Sequence, residues 1–521
     1  MGMTLLIRNV RILGGAGPLR QSSSEASRLP ERSDVFIQGE KISAIGSFPT
    51  KKADEMIDGQ GIYLAPGFID VNTDSDHYLT LFDNPEQDDF LKQGVTTILG
   101  GMCGASLAPL LYGDLESVHR WGDIRYVNVG WHTMDEFLRV LGGKGLGVNF
   151  GTLVGHSTIR RALIGTASRS LTKNELNVFS ATLARALAEG GFGLSSGLGY
   201  PDSRDVSYAE LKALAGIVKN SGGVYSTHLR KGGDELMDST DETLKLRRET
   251  GVPSLISHFM PFRGSERAYA QALEKLKGIP DERAVYFDVY PFDMSVMPLS
   301  ALLPLWAQEG NPETMLGNLK DSWKRKRILK ELPEYGDADI VVAAAPHNPS
   351  FMGKSLGDIK NLYGLHSSQE ALLTLMRTTE LRAVVFCRNI ATELIAKALA
   401  HPRALIATNA ASIREGAQAT LLKPERATRT FTKFLEMVQT QQLMTLEQAV
   451  AKLTKIPAAL FGITGRGEVK EGNYADLVGF TFREGTPAIA EIRFVTVNGA
   501  VAVRSDTAKG MRRGKILRHR A

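Results

Sequence analysis

The sequence predicts an α/β protein built around a TIM-like barrel of eight strand–helix units, with a small β-sandwich formed by both termini. Three observations support this fold class. Short apolar runs alternate with helical runs through the middle of the chain, polar side chains directly follow several of these runs, and strand-like segments at both ends lack local partners. In a barrel the residues that follow the strands meet at one rim, so the pattern also indicates where the chemistry lies.

Strand-like segments at the two ends are expected to pair with each other. Residues 4–13 alternate polar and apolar side chains, and residues 34–46 predict two strands joined by a tight turn at Gly39. Near the other end, Asn498 and Gly499 are typical of a type I′ hairpin turn. None of these runs can bury a core by itself. We therefore expect residues 1–64 and 466–505 to form one sandwich around an inserted central domain.

Residues 65–465 carry the barrel pattern. Eight apolar runs are candidate strands, and helical runs such as 174–189, 208–219 and 241–250 separate several of them. A connection of about residues 294–402 before the last strand is long enough to be a lid or a binding element, and it contains a charged helical run at 312–332. The candidate strands are the opening run of the stretch 65–77, then 94–100, 148–154, 193–196, 223–227, 252–257, 284–290 and 404–408.

Composition excludes several classes of protein. With 521 residues, 43% hydrophobic and 23% charged, the chain is an ordinary globular protein of more than one domain. No apolar run reaches the length of about 20 residues that crosses a bilayer, and the start does not resemble a signal peptide. The two cysteines imply no disulfide framework. We expect a cytoplasmic protein with no membrane or nucleic-acid partner and a mobile Gly/Ser/Pro-rich loop at 14–33. The basic tail at 506–521 has two interpretations: a solvated, mobile chain end, which is expected, or a contact with nucleic acid or a membrane.

Three side chains that can hold a metal follow candidate strands. Cys103 comes after the second strand, His228 ends the fifth and His258 ends the sixth. One thiolate with two imidazoles suits Zn²⁺ and leaves a fourth position for water or substrate. Each residue alone is more often a core cysteine or a hydrogen-bonded histidine. Their joint position at strand ends predicts a site for one tightly bound zinc ion.

Several segments resemble the N-acyl-D-amino-acid deacylase (D-aminoacylase) family of the amidohydrolase superfamily, and the likeness covers nearly the whole chain. The resemblance implies a TIM-like barrel with a β-sandwich from both termini, and zinc-dependent hydrolysis of the amide of N-acyl-D-amino acids. In that pattern Cys103, His228 and His258 hold the tightly bound zinc. The segments that carry the resemblance are APGFIDVNTD, GVTTILGGMCGASLAPL, GTLVGHSTIR, GGFGLSSGLGYP, GGVYSTHLR, GVPSLISH, FDVYPF and KLTKIPAALFGITGRGEVKEGNYADLV.

The sequence departs from the family pattern at the residues that bind a second metal and act as base. The family has a His-x-His pair where this chain has Asn72 and Asp74, an aspartate base where it has Asn409, and often a lysine where it has Met260. An amide is a poor zinc ligand and a carboxylate a fair one. A carboxamide cannot accept a proton, so Asn409 cannot act as the usual base.

Other positions match substrate contacts of the family. Tyr200, Tyr290 and Arg426 lie where the family keeps such groups, and Arg426 is suited to a bidentate contact with a carboxylate. His156, in the segment VGH, has two open interpretations: it contacts the substrate, or it is a structural histidine.

Two hypotheses follow. In the first, the chain is a zinc amidohydrolase acting on an N-acyl amino acid or a related N-acyl compound, with Asp74 as metal ligand and base beside Asp76 or His77. Alternatively those three side chains form a hydrogen-bonded cluster that only shapes the barrel mouth. In the second hypothesis, loss of the usual base and of both first-strand histidines marks a non-catalytic descendant that binds a small ligand or a protein partner.

Overall fold

The computed structural model describes the chain except residues 1, 15–31, 113–128, 166, 168, 201, 202, 204, 281–284, 310, 311, 415–420, 484, 486, 506 and 521. Most of the loop expected at 14–33 lies outside the described residues. The strands are β1 (Thr4–Ile12), β2 (Arg32–Gln38), β3 (Lys41–Gly46), β4 (Glu55–Asp58), β5 (Tyr63–Pro66), β6 (Phe68–Asp70), β7 (Val95–Gly100), β8 (Asn149–Thr152), β9 (Val154–Gly155), β10 (Gly193–Gly197), β11 (Val224–His228), β12 (Ser254–Ile256), β13 (Val285–Val289), β14 (Ser295–Pro298), β15 (Ile340–Ala344), β16 (Val384–Cys387), β17 (Ala404–Ile406), β18 (Leu477–Arg483), β19 (Ile489–Val497), β20 (Ala500–Arg504) and β21 (Thr507–Ala508).

Helices follow most of the central strands. They are α1 (Thr80–Asp83), α2 (Asp88–Leu91), α3 (Met134–Lys144), α4 (His156–Ile164), α5 (Lys173–Ala188), α6 (Tyr208–Asn220), α7 (Leu236–Thr250), α8 (Glu266–Lys277), α9 (Pro312–Lys320), α10 (Ser322–Glu331), α11 (Leu356–Tyr363), α12 (Ser368–Thr378), α13 (Thr392–Ala400), α14 (Arg426–Gln441), α15 (Leu446–Leu453) and α16 (Lys455–Leu460).

Strands from both ends of the chain share one sheet. Its order is β21-β20-β19-β18-β5-β1-β2-β3, and β4 pairs with β1. The predicted turns are present: Gly39 has φ 62° between β2 and β3, and Asn498 and Gly499 have φ 46° and 79° between β19 and β20. Positive φ at both central residues is what a type I′ turn requires. The expected pairing of the two termini is confirmed.

The eight predicted central runs all form parallel strands. One parallel sheet has the order β6-β7-β8 and another the order β9-β10-β11-β12-β13-β17. The run at 148–154 is divided into β8 and β9 around Leu153. Since the strands are parallel, their carboxyl ends lie on one side of the molecule, which is where the candidate site residues follow them.

The long connection between β13 and β17 folds around a hydrophobic core of its own. Its strands form an antiparallel sheet in the order β14-β16-β15, and its buried side chains, from Leu299 to Cys387, make a separate cluster. The charged run at 312–332 is two helices rather than one. Asp321 ends the first and caps the second, because its carboxylate accepts hydrogen bonds from the backbone N–H groups of Trp323 and Lys324.

The basic tail packs against the amino-terminal side of the central parallel strands, so the expectation of a mobile tail is wrong for residues 514–519. Gly514 bridges to Leu146 and Ile516 to Phe150, and the His519 N–H donates to the Gly190 carbonyl. These partners precede or begin central strands. The tail therefore packs at the amino-terminal ends of these strands, away from the carboxyl ends that carry the candidate site.

A buried polar cluster joins the terminal sheet, the barrel and the tail. Asp476 accepts hydrogen bonds from the Asn149 side chain (3.0 Å) and from the Asn498 backbone (2.7 Å), and it forms an ion pair with Arg466. The Asn498 amide donates to the Arg513 carbonyl at 2.7 Å. Arg466 and Asp476, at the two ends of one segment, therefore connect three parts of the chain.

No helix in the described part of the chain combines the length and the apolar composition needed to span a membrane.

Candidate functional site

The structure brings Cys103, His228 and His258 together at the carboxyl ends of their strands. One ligand atom from each lies within 4.8 Å of the others. The Cys103 Sγ is 3.3 Å from His258 Nε2, and the rings of His228 and His258 have centroids 4.5 Å apart. His228 and His258 meet because β11 and β12 are neighbouring parallel strands, and Cys103 reaches them from the loop after β7. We call these three residues the metal trio.

Backbone geometry holds the metal trio in place. Cys103 and His258 have left-handed backbones, with φ 51° and 34°, a conformation that costs a non-glycine residue of order 1 kcal/mol or more and is frequent at functional sites. The His258 N–H donates to the Asp288 carboxylate at 2.9 Å. Gly199 leaves room for His228, because a Cβ there would lie 2.6 Å from His228 Nε2.

Electrostatics keep His258 able to bind a metal. Burial lowers the pKa of His258 to about 4, while the nearby charges of Asp74 and Arg426 act on it with opposite signs. The imidazole is therefore neutral at neutral pH, the form that coordinates metals. A thiol and two imidazoles within ligand distance of one another form a donor set that fits zinc.

Asn72 is held in a network of buried acids. Its amide nitrogen lies 3.2 and 3.3 Å from the two carboxylate oxygens of Asp288, and its backbone N–H donates to Asp70 at 3.1 Å. Burial raises the pKa of Asp70 to about 8 and that of Asp288 to about 7. The Asn72 side-chain oxygen is buried, with no hydrogen-bond partner among the described residues. The side-chain nitrogen of Asn72 is thus already bound to the Asp288 carboxylate.

Asp74 faces the mouth beside the metal trio and is paired with His77. Its carboxylate lies 3.2 Å from His77 Nδ1, and His77 Nε2 lies 3.1 Å from the Ala105 carbonyl. Burial disfavours charge on His77, but the carboxylates of Asp76 and Asp74 outweigh this effect and raise its pKa to about 9. Both ring nitrogens therefore donate. Asp76 turns away, accepting from the Gly101 N–H at 2.6 Å, so His77 is the neighbour that contacts Asp74.

A small cavity adjoins Asp74 and Arg426. The guanidinium of Arg426 lies 4.8 Å from the ring centroid of Tyr290 and donates to the Asn409 carbonyl. Sequence reasoning did not single out Tyr78, which lines the cavity next to Asp74. The remaining lining is apolar, and two of its side chains, Val296 and Phe386, belong to the insertion. The others are Ala410, Ala411, Ile413, Leu421, Leu422 and Pro424.

The other predicted substrate contacts divide into two groups. Tyr200 lies beside the metal trio, with its ring centroid 4.6 Å from that of His228. His156 is fully buried; its Nε2 lies 2.8 Å from Glu210, and its ring packs against Phe179. Of its two open interpretations, the structural one fits this position. Met260 is a buried core side chain.

Comparison with known proteins finds relatives along the whole chain. The D-aminoacylase of Alcaligenes xylosoxydans xylosoxydans is 28% identical over 97% of this chain and 97% of its own length. No protein-family model matches.

Two solved structures share the fold. One is a D-aminoacylase described for its binuclear metal centre, with one-metal activation and second-metal attenuation; it is 25% identical, with a TM-score of 0.77 over 99% of this chain and 100% of its own. The other is the N-acyl-D-glutamate deacylase of Bordetella bronchiseptica, complexed with zinc and a phosphonate mimic of the tetrahedral intermediate. It is 25% identical, with a TM-score of 0.78 over 99% of this chain and all of its own. The resemblance to the D-aminoacylase family and its amidohydrolase fold is thereby confirmed.

Proposed function

We propose that this chain is a zinc-dependent amidohydrolase that hydrolyses the amide bond of N-acyl-D-amino acids, with acid–base residues that differ from those of its relatives. The observation that carries the proposal is the metal trio, whose ligand atoms lie within 4.8 Å of one another at the barrel mouth. Full-length similarity to a D-aminoacylase and to a zinc-containing N-acyl-D-glutamate deacylase supports the same substrate class.

We also infer that the parallel strands close into a TIM-like barrel over residues 65–465 and that the terminal sheet folds into a sandwich. The Asn409 N–H donates to the Asn72 carbonyl at 2.9 Å, which links the ends of the last and first strands. One buried cluster also draws side chains from several strands around the barrel, as inward-facing residues of a closed barrel would: Ile69, Leu99, Val224, Leu255, Tyr286 and Leu405.

A second cluster supports the sandwich and the domain boundaries. Leu5 and Ile37 from one end of the chain pack in it with Leu477 and Phe494 from the other. We assign residues 1–64 and 466–505 to the sandwich, 294–402 to the insertion and 506–521 to the tail, although the sheet itself runs on to Pro66 and to Ala508.

Cys103, His228 and His258 would hold one tightly bound zinc ion. Bound there, zinc supplies Lewis-acid polarisation of the scissile carbonyl and a lowered pKa for water. Asn72 contributes little to a second metal site in this proposal, since its amide nitrogen is committed to Asp288. Asp74 is the remaining candidate ligand of a second ion.

Asp74 would act as the general base in place of Asn409. Its carboxylate is partly exposed, with 14% of the side chain accessible, and it borders the cavity in which a substrate would bind. His77 donates to it and fixes its orientation. A carboxylate can take the proton of an attacking water and return it to the leaving amine, a role worth about 10²–10⁴ in rate.

Arg426 would bind the substrate carboxylate, with Tyr290 beneath its guanidinium and Tyr200 at the metal side. The cavity beyond it favours an apolar side chain or acyl group over an acidic one. Val296 and Phe386 of the insertion form part of the cavity wall. Among the described residues that line the cavity, Arg426 is the one positively charged side chain. An acidic side chain would need a second cation there.

Metal analysis combined with one variant tests the function. Protein purified without chelator should contain about one zinc per chain and should hydrolyse N-acyl-D-amino acids from a panel of apolar, polar and acidic side chains. Asp74→Asn should reduce kcat by about 10²–10⁴ while retaining zinc. Asp83→Asn, at an exposed position, is the matched control.

The non-catalytic alternative makes the opposite prediction. Wild-type protein with zinc but no turnover on the whole panel would support a binding protein. Full activity in Asp74→Asn would retain the hydrolase and remove Asp74 as its base. Absence of zinc from active protein would refute the role of the metal trio.

A further inference from the structure

Helix α10 of the insertion carries an unusually concentrated positive charge. Its residues, 322–331, contain five basic side chains and one acidic side chain, a net charge of +4, whereas the whole chain has a net charge of +5. Among the described residues, no carboxylate lies within ion-pair distance of Lys320, Arg325, Lys326 or Lys330. Arg327 is paired with Glu331 on the same helix. Such charges, unpaired and solvent-facing, are free to bind an external partner.

The same helix exposes a tryptophan in its first turn. Trp323 is 69% exposed, and positions 323, 327 and 330 share one side of an α-helix. Ile328, on the opposite side, is buried in the core of the insertion. Lysines 324, 326 and 330 therefore surround the ring of Trp323, which is exposed to solvent and is not packed in the core.

An exposed leucine extends this surface. The Trp306 ring lies 4.3 Å from the Arg327 guanidinium, and its Nε1–H donates to Glu331 at 2.6 Å, which fixes the preceding residue beside α10. That residue, Leu305, is 67% exposed. The surface formed by Leu305, Trp323 and the basic residues of 320–330 is called the basic aromatic face.

We propose that the basic aromatic face docks the protein onto an anionic phospholipid surface. Each lysine or arginine near such a surface contributes about 1 kcal/mol of attraction, and tryptophan and leucine are the side chains that enter the interface between headgroups and acyl chains. A convex helix face can lie on a flat membrane surface, whereas a small ligand needs a concave site. An aliphatic leucine matches an acyl boundary, whereas a nucleic acid offers it no partner. The proposal departs from the expectation of no membrane contact and does not depend on the proposed hydrolase activity.

Co-sedimentation of the full-length protein with vesicles tests the proposal. The protein should bind vesicles containing about 30% phosphatidylglycerol, should not bind pure phosphatidylcholine vesicles, and should be released at high salt. The double variant Lys326→Gln, Lys330→Gln should lose about 30-fold in affinity. The matched control, Lys173→Gln with Lys277→Gln, removes the same charge from exposed positions of α5 and α8 and should bind like the wild type.

Tryptophan fluorescence tests insertion of the aromatic ring. The emission of the wild type should shift to shorter wavelength on anionic vesicles, and this shift should disappear in Trp323→Phe while melting temperature is unchanged. The proposal is overturned by three results: no binding to anionic vesicles, equal binding to neutral ones, or equal loss in the control pair. It is also overturned if a single-stranded oligonucleotide, and not vesicles, is the ligand whose binding Lys326→Gln, Lys330→Gln abolishes.

Discussion

The two halves of the candidate site are built by different means. On one side, the metal trio is positioned by backbone geometry: left-handed residues at Cys103 and His258 and space left by Gly199. On the other side, Asn72 and Asp74 are positioned by hydrogen bonds among buried ionisable groups. The two sides are linked, because the Asp288 carboxylate that holds Asn72 also accepts from the His258 N–H; under the proposed function, metal binding would depend more on steric fit, and proton transfer and substrate binding more on charge.

The largest effect is expected from a steric change in the trio half. Gly199→Ala places a methyl group 2.6 Å from His228 Nε2, so the imidazole must move. We expect zinc affinity to fall by about 10- to 100-fold, measured by competition with a chromophoric chelator. Gly216→Ala, where an added Cβ meets nothing within 4 Å, should leave zinc affinity unchanged. Unchanged affinity in Gly199→Ala would contradict the steric account of this half.

An intermediate effect is expected from the charged half. Arg426→Lys keeps the positive charge but removes the planar, bidentate group that lies over Tyr290. KM for an N-acyl-D-amino acid should rise about tenfold, with zinc content unaltered. Arg429→Lys, on the exposed side of the same helix and paired with Glu436, is the matched control. A fall in zinc content in Arg426→Lys would show that the two halves are not independent.

The smallest effect is expected on the pH dependence of folding stability, through Lys452, which supports the last central strand, β17. Lys452 is buried, donates to the Ala404 and His401 carbonyls, and has its pKa lowered by burial from 10.5 to about 7. Between pH 7 and 10.5 the unfolded state binds more protons at this site, so stability rises with pH.

Relative to Lys452→Met, the wild type should therefore gain about 1 kcal/mol between pH 7 and pH 8, measured by urea unfolding at each pH. Lys277→Met, at an exposed position, should show no such trend. A pH-independent difference between wild type and Lys452→Met would mean that the amine stays protonated in the fold.

Sequence reasoning identified many elements of the fold because apolar runs alternate with helical runs through the centre of the chain, with polar residues after several of them, and because the first strand alternates polar and apolar side chains. The metal trio was identifiable for the same reason: each member follows a strand, and parallel strands bring their ends together. Asp74 could be chosen as the candidate base because it occupies a metal-ligand position of the family pattern, whereas the usual base position is Asn409 at the end of the last strand.

Contacts between segments that are distant along the chain could not be predicted from the sequence. Glu210 pairs with His156 across 54 positions, and Asp288 binds Asn72 across 216, so neither partner leaves a local signal. The tail was predicted to be mobile because it is basic and terminal, yet its backbone pairs with the amino-terminal ends of central strands. The break between α9 and α10 depends on one aspartate that caps a helix, and a charged run alone does not reveal it.

The self-contained core of the insertion has a consequence for how this scaffold can change. Because that core closes on itself between β14 and Cys387, its residues can be exchanged as a block without repacking the strands beneath. A chimera that receives the corresponding block of an acidic-substrate relative would acquire a new wall opposite Arg426 and keep its own ion site. Under the proposed function, substrate selectivity could then be transferred separately from the residues that hold the metal.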